Sequence, residues 1–365
     1  MKKLIAISVL FALLAAGAFA QVSGGFRGHW NVVDYDSDKD GVTTSAGIDV
    51  AQIQLTGENE EGTIGATMRL RNWQSGYYLD WDPDAESEEA SDWVSLGGGI
   101  ELSHYWAWWK PIPQLQLALG QQTDGWWGFD GIIGWGFHEG GADYGHMEGY
   151  SFWQGGGGGY NAFGLAIEIK PVEGLEIDFG LPLPRPWAAQ EYEDVFKTLY
   201  VKASYDISGI GTASVKFSSL GYVKDKYLGD INVGFSLSAI ENVPVILLLQ
   251  FGLNDGDSEH NPIGVALGVG FSSGDFGVRF RAGSQFVKDG KFNLHAQVMP
   301  FYDLGIFKAF LNIGLQIEND DQTRFYLNPY ITKQIGAGKI ALAIQLDINE
   351  NNTTFALPLT ISYDF

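Results

Sequence analysis

Three acids spaced by single residues, Asp36-x-Asp38-x-Asp40-Gly41, match the first half of a calcium loop, whose oxygens must converge on one hard cation. The match ends at the twelfth position, Gly47, where a bidentate Glu belongs. The spacing therefore fits a solvated acidic tip better, and calcium at Asp36, Asp38 and Asp40 is the only cofactor suggested. The six histidines (His29, His104, His138, His146, His260 and His295) lie in no nucleophile or metal motif. His104 follows Ser103 directly, so on a strand the two would face opposite ways, whereas a nucleophile and its base must share a face. With no Cys, thiol catalysis, cysteine zinc sites, Fe–S clusters and disulfides are excluded. An enzyme is not expected.

What remains is charge set into apolar alternation. Arg69, Arg71, Lys202, Lys216, Arg279 and Arg281 share a strand phase opposite to their apolar neighbours, as do Glu101, Glu168, Glu176, Asp178, Asp206, Glu318 and Asp347. Fixed charges of this kind select ions when they surround water. A second concentration lies in residues 124–159. It carries Trp126, Trp127, Phe129, Trp135 and Trp153 among many glycines, with Asp124, Asp130, Glu139, Asp143 and Glu148. So many aromatics are costly on an exposed tip, which argues that this segment folds inward or packs on a partner.

The elements that carry these residues are strands. Phe163, Leu165, Ile167 and Ile169 alternate with Gly164, Ala166, Glu168 and Lys170, and the same period of two recurs to the end of the chain. The segments run roughly 9–12 residues, enough for a tilted strand to cross a bilayer. Short connections at 110–113, 171–174, 208–211, 241–244 and 273–275 alternate with longer polar ones at 34–45, 74–92, 124–159, 184–195 and 254–261. Ile48 and Val50 are out of phase with Ile53 and Leu55. The expectation is all-β: one transmembrane antiparallel up-and-down β-barrel of about 18 strands, with 16 possible, and 124–159 as a long third outer loop. Trp106, Trp108, Tyr302, Tyr363 and Phe365 are expected in aromatic girdles at the two interfaces.

Composition agrees. Among 365 residues there are 49 Gly, 23 Phe, 16 Tyr and 12 Trp, and only 18% are charged. The net charge of −22 lacks the cationic face of a general nucleic-acid binder. Met1-Lys2-Lys3, an apolar run from Leu4 to Leu14, and Ala18-x-Ala20 read as a secretory signal over residues 1–20, leaving 21–365 as the barrel.

The carboxyl-terminal segment puts Phe355, Leu357, Leu359, Ile361, Tyr363 and Phe365 on one face. Its ending, Ile361-x-Tyr363-x-Phe365, resembles the terminal signal of bacterial outer-membrane barrels, and the whole chain looks most like a general porin. Pro358 departs from that pattern, since it removes a ladder donor, and marks a bulge. The resemblance implies assembly by periplasmic chaperones and the barrel-assembly machinery in a Gram-negative-type outer membrane, reached by the general secretory route. It also implies a homotrimer, a third loop that constricts the bore, and passive diffusion of small hydrophilic solutes and ions through water. Sugar-selective and hydrophobic-solute channels, and a non-conducting surface or adhesin barrel, are the alternatives.

Overall fold

Alternating side chains place one face of each strand outside and one inside, and a sheet with an apolar outside has no free edge only if it closes. The computed structural model describes residues 21–79, 93–95, 101–122, 162–183, 199–223, 226–253, 263–286, 292–318 and 322–365. Its segments begin with β1 (Gln21–Asp36), β2 (Lys39–Glu58), β3 (Ile64–Leu79), β4 (Trp93–Ser95), β5 (Glu101–Ile112), β6 (Leu115–Gln122) and β7 (Ala162–Val172). Next come β8 (Leu175–Leu183), β9 (Tyr200–Ile207), β10 (Gly211–Val223), β11 (Lys226–Leu237), β12 (Val245–Gly252), β13 (Ile263–Ser273) and β14 (Phe276–Phe286). The last are β15 (Phe292–Asp303), β16 (Lys308–Glu318), β17 (Gln322–Ile335), β18 (Gly338–Ala343), β19 (Gln345–Asn349) and β20 (Thr353–Asp364).

Every pairing is antiparallel between chain neighbours, and β20 returns to pair with β1. Short β4 and β5 both pair with β3, and β18 and β19 lie end to end between β17 and β20. The wall is thus a closed ring of eighteen staves. The seam is tied by Gly24 N–H donating to the Phe365 carbonyl at 2.8 Å, and by Phe365 N–H donating back to Gly24 at 3.1 Å.

Two faces result. Along β13, Ile263, Val265 and Leu267 are exposed on the outside, while Gly264, Ala266, Gly268 and Gly270 are buried within. Along β20, Phe355, Leu357, Leu359, Ile361, Tyr363 and Phe365 face out, and Ala356, Pro358 and Thr360 are packed inside. The β13–β14 and β17–β18 connections turn in two residues, and Gly274 (φ 57°) and Gly336 (φ 60°) adopt the left-handed backbone those turns need.

Prolines mark the irregularities. Opposite Pro358, the β1–β20 register slips between Asn31 and Asp34, where the missing N–H leaves a ladder bond unmade. The break at Ile344 lies beside another proline, bridged by Ile344 N–H donating to the Pro329 carbonyl at 2.9 Å. The β1–β2 register slips between Arg27 and Gly28, facing residues 48–50, where the sequence alternation changes phase.

Three expectations are corrected. Residues 34–45 form no long loop: β1 and β2 continue as a paired ribbon with a turn only at Ser37 and Asp38. Their polar residues read as a loop, but a ribbon projecting past the apolar band needs no greasy face. Similarly, β3 runs on to Leu79 through part of 74–92. Trp106 and Trp108 are not girdle residues either. Their cross-strand partners are Thr67 and Gly65 on the inner face, Trp108 is buried, and Trp109 is the tryptophan turned outward, 51% exposed. Tyr302, Tyr363 and Phe365 are exposed on the outside.

Candidate functional site: a segregated inner wall

The inner wall is built in rows, because residues paired across one ladder are paired again across the next. One row reads Gln116, Glu168, Asp178, Lys202, Lys216, Asn232 and Gln250 from β6 to β12. Two acids stand directly opposite each other, and then two lysines do. Directly opposed like charges destabilise a sheet, so local stability does not account for this order. Lys216 and Asp178 are each 1% exposed, while Glu168 and Lys202 are half-buried. Two residues nearer the short β7–β8 turn, Lys170 Nζ donates to Glu168 Oε1 at 3.0 Å and Glu176 Oε2 at 3.2 Å.

Arginines occupy two other places. Arg69 and Arg71 lie buried on the third stave, in register with Gln54 and Gln52. Arg279 and Arg281 project inward from the thirteenth stave, β14, with Arg281 buried and Arg279 half-buried. Of the acids, Asp347 faces in and Asp206 is exposed near a turn; the side chains of Glu101 and Glu318 are not among those described.

The sector from β15 to β18 is different, and the sequence reading missed it. Phe301, Phe310, Tyr330 and Ala343 form one continuous row on the inside. Phe310 and Tyr330 stack with ring centroids 4.5 Å apart and 8° between planes, and Tyr330 donates to Met299 Sδ at 3.3 Å. Arg279 lies 5.3 Å from the Phe301 ring centroid, and Lys308 Nζ lies 4.6 Å from Phe301 and 5.4 Å from Phe310. Tyr326 is fully buried, with its hydroxyl 2.8 Å from His295 Nε2. Beside it Arg324 grips Asp347 with two forked contacts, Nε to Oδ1 at 2.6 Å and Nη2 to Oδ2. The missed signal was parity: Phe310 shares its phase with Asn312, Gly314 and Gln316, not with Leu311 and Ile313.

Three inner aromatics face a glycine on the next strand: Trp108 opposite Gly65, Phe301 opposite Gly277, and Tyr326 opposite Gly314. A Cβ at any of these glycines would sit within about 2 Å of the ring, so each ring lies flat against bare backbone.

The residues Asp124, Asp130, Glu139, Asp143, Glu148, Trp126, Trp127, Phe129, Trp135 and Trp153 lie outside the described residues, as does the segment 1–20. At the β1–β2 tip, Asp36 Oδ1 accepts from Asp38 N–H at 3.0 Å and from Asn352 Nδ2 at 2.8 Å. That carboxylate ties the tip to the β19–β20 turn; the Asp40 side chain is not among those described.

No protein-family model matches the chain, and no curated protein matches it significantly in sequence. Solved structures do match the fold. OccK9 (OpdG) of Pseudomonas aeruginosa aligns at a TM-score of 0.63 and 12% identity, over 95% of this chain and 98% of that one. OccAB4 of Acinetobacter baumannii aligns at 0.58 and 10% identity, over 96% of this chain and 99% of that one. A triple mutant of Rhodopseudomonas blastica porin aligns at 0.52 and 13% identity, over 95% and 100%. The chain therefore shares the closed-barrel fold of porins along nearly its whole length.

Proposed function

We propose that the protein is an outer-membrane porin, a passive water-filled route for small hydrophilic solutes and ions, and not an enzyme. The observation that carries this is the pairing of faces on one closed wall: exposed Val265, Leu267 and Phe280 outside, and Arg69, Arg71, Arg281, Lys216 and Asp178 inside. Charge facing hydrocarbon is expensive, and charge lining an aqueous bore is not. The fold likeness to a named porin supports the same reading.

On this reading residues 1–20 are cleaved after export, and 124–159 narrow the bore, with their acids facing Arg69 and Arg71 and giving a transverse field. Three barrels associate in the membrane. The inner aromatic row with Lys308 and Arg279 favours a second reading, a channel that prefers sugars, since rings stack on their apolar faces.

Planar-bilayer recording of the purified, folded protein tests the main reading. Stepwise ohmic conductance is expected, with a reversal potential that moves when Arg69 and Arg71 are changed to Ala. Absence of conductance, together with no swelling of solute-loaded liposomes, would leave a surface barrel instead.

A further inference from the structure

The acidic side of the inner wall holds more negative charge than its ion pairs use. Glu168 and Glu176 share one cation, the Lys170 ammonium, at 3.0 and 3.2 Å. Asp178 is 1% exposed and adjoins that pair, yet neither of its carboxylate oxygens has a hydrogen-bond partner. A buried, unpartnered carboxylate costs several kcal/mol by desolvation unless it takes up a proton or a cation approaches it. Lys202 is its cross-strand neighbour, but no ion pair joins them among the described residues. One oxygen from each of Glu168, Glu176 and Asp178 lies within 4.8 Å of the others, the only such three-acid cluster among the described residues.

We propose that Glu168, Glu176 and Asp178 form a divalent-cation site on the inner wall, near the short-turn end of the bore. Oxygens that all lie within 4.8 Å of one another can converge on one hard divalent cation, whose oxygen ligands stand about 2.0–2.6 Å from it. Lys170, whose side chain is 49% exposed, holds two of the three carboxylates and can swing into the bore as the ion enters. Water completes the shell. The site needs only these staves, so it stands or falls separately from conduction.

The test is calorimetric titration of Ca2+ into the metal-stripped full chain in detergent, with heat-modifiable mobility on gels confirming that each variant is a folded barrel. One saturable Ca2+ site is expected that weakens roughly tenfold or more in Asp178→Asn and in Glu176→Gln. Lys170→Met removes the competitor and is expected to tighten it several-fold. If Asp178→Asn fails to fold, the other two variants give the answer in opposite directions. No binding at millimolar Ca2+, or binding that ignores all three substitutions because it belongs to acidic tips, overturns the proposal.

Discussion

Half a circumference separates two sectors that solve the same problem differently. On β7 to β10 the inner face is charged and segregated, acids beside acids and lysines beside lysines. On β15 to β19 it is aromatic, with Tyr326 fully buried and the charges of Arg324 and Asp347 joined to each other. Both present the same greasy alternation outside. The lesson is that the outer face fixes the fold, while the inner face is free to be either stable or electrostatically frustrated. Here the aromatic sector stacks its rings against bare backbone, while the charged sector leaves like charges opposed.

If that division is right, the largest effect belongs to the aromatic side. Tyr326→Ala should cost about 3–5 kcal/mol, the range for emptying a buried aromatic site, read as a lower midpoint in denaturant unfolding of the folded barrel. A change of less than ~1 kcal/mol would erase the claimed difference. What the sectors share is probed next. Leu267→Arg on the exposed outer face should cost about 2–4 kcal/mol in lipid, since on the porin reading that position would meet hydrocarbon. The charged side should respond the other way. Exchanging Asp178→Lys with Lys202→Asp makes the row alternate in sign, and is expected to raise stability by about 1 kcal/mol. A loss instead would show that segregation is structural. The smallest expected effect is electrical: Arg69→Ala with Arg71→Ala should shift the reversal potential in a salt gradient toward cation preference.

Much of this was readable beforehand, for physical reasons that also explain the failures. The last strand could be read residue by residue, since Phe355 through Phe365 keep one phase to the end. The charged row was legible because Glu168, Asp178, Lys202 and Lys216 each break an apolar run with opposite parity. The aromatic row was not. Phe301, Phe310 and Tyr330 count as apolar in any periodicity argument, yet they sit inside, where Phe301 meets Gly277, Arg279 and Lys308, and Phe310 and Tyr330 stack on each other. Trp106 and Trp108 failed for the same reason: residue type alone suggested an interface, but pairing with Thr67 and Gly65 turns them inward. The β1–β2 ribbon was misread because its polar residues lack a regular apolar alternation, although the two strands stay paired through three register slips.

The rings laid over Gly65, Gly277 and Gly314 carry one more consequence. A single methyl at any of these positions would tip its aromatic plate away from the wall like a valve flap, stealing cross-section from the passage. On the proposed porin reading, calibre would thus be set by residues that never touch what travels through, and a change as small as Gly to Ala would alter it.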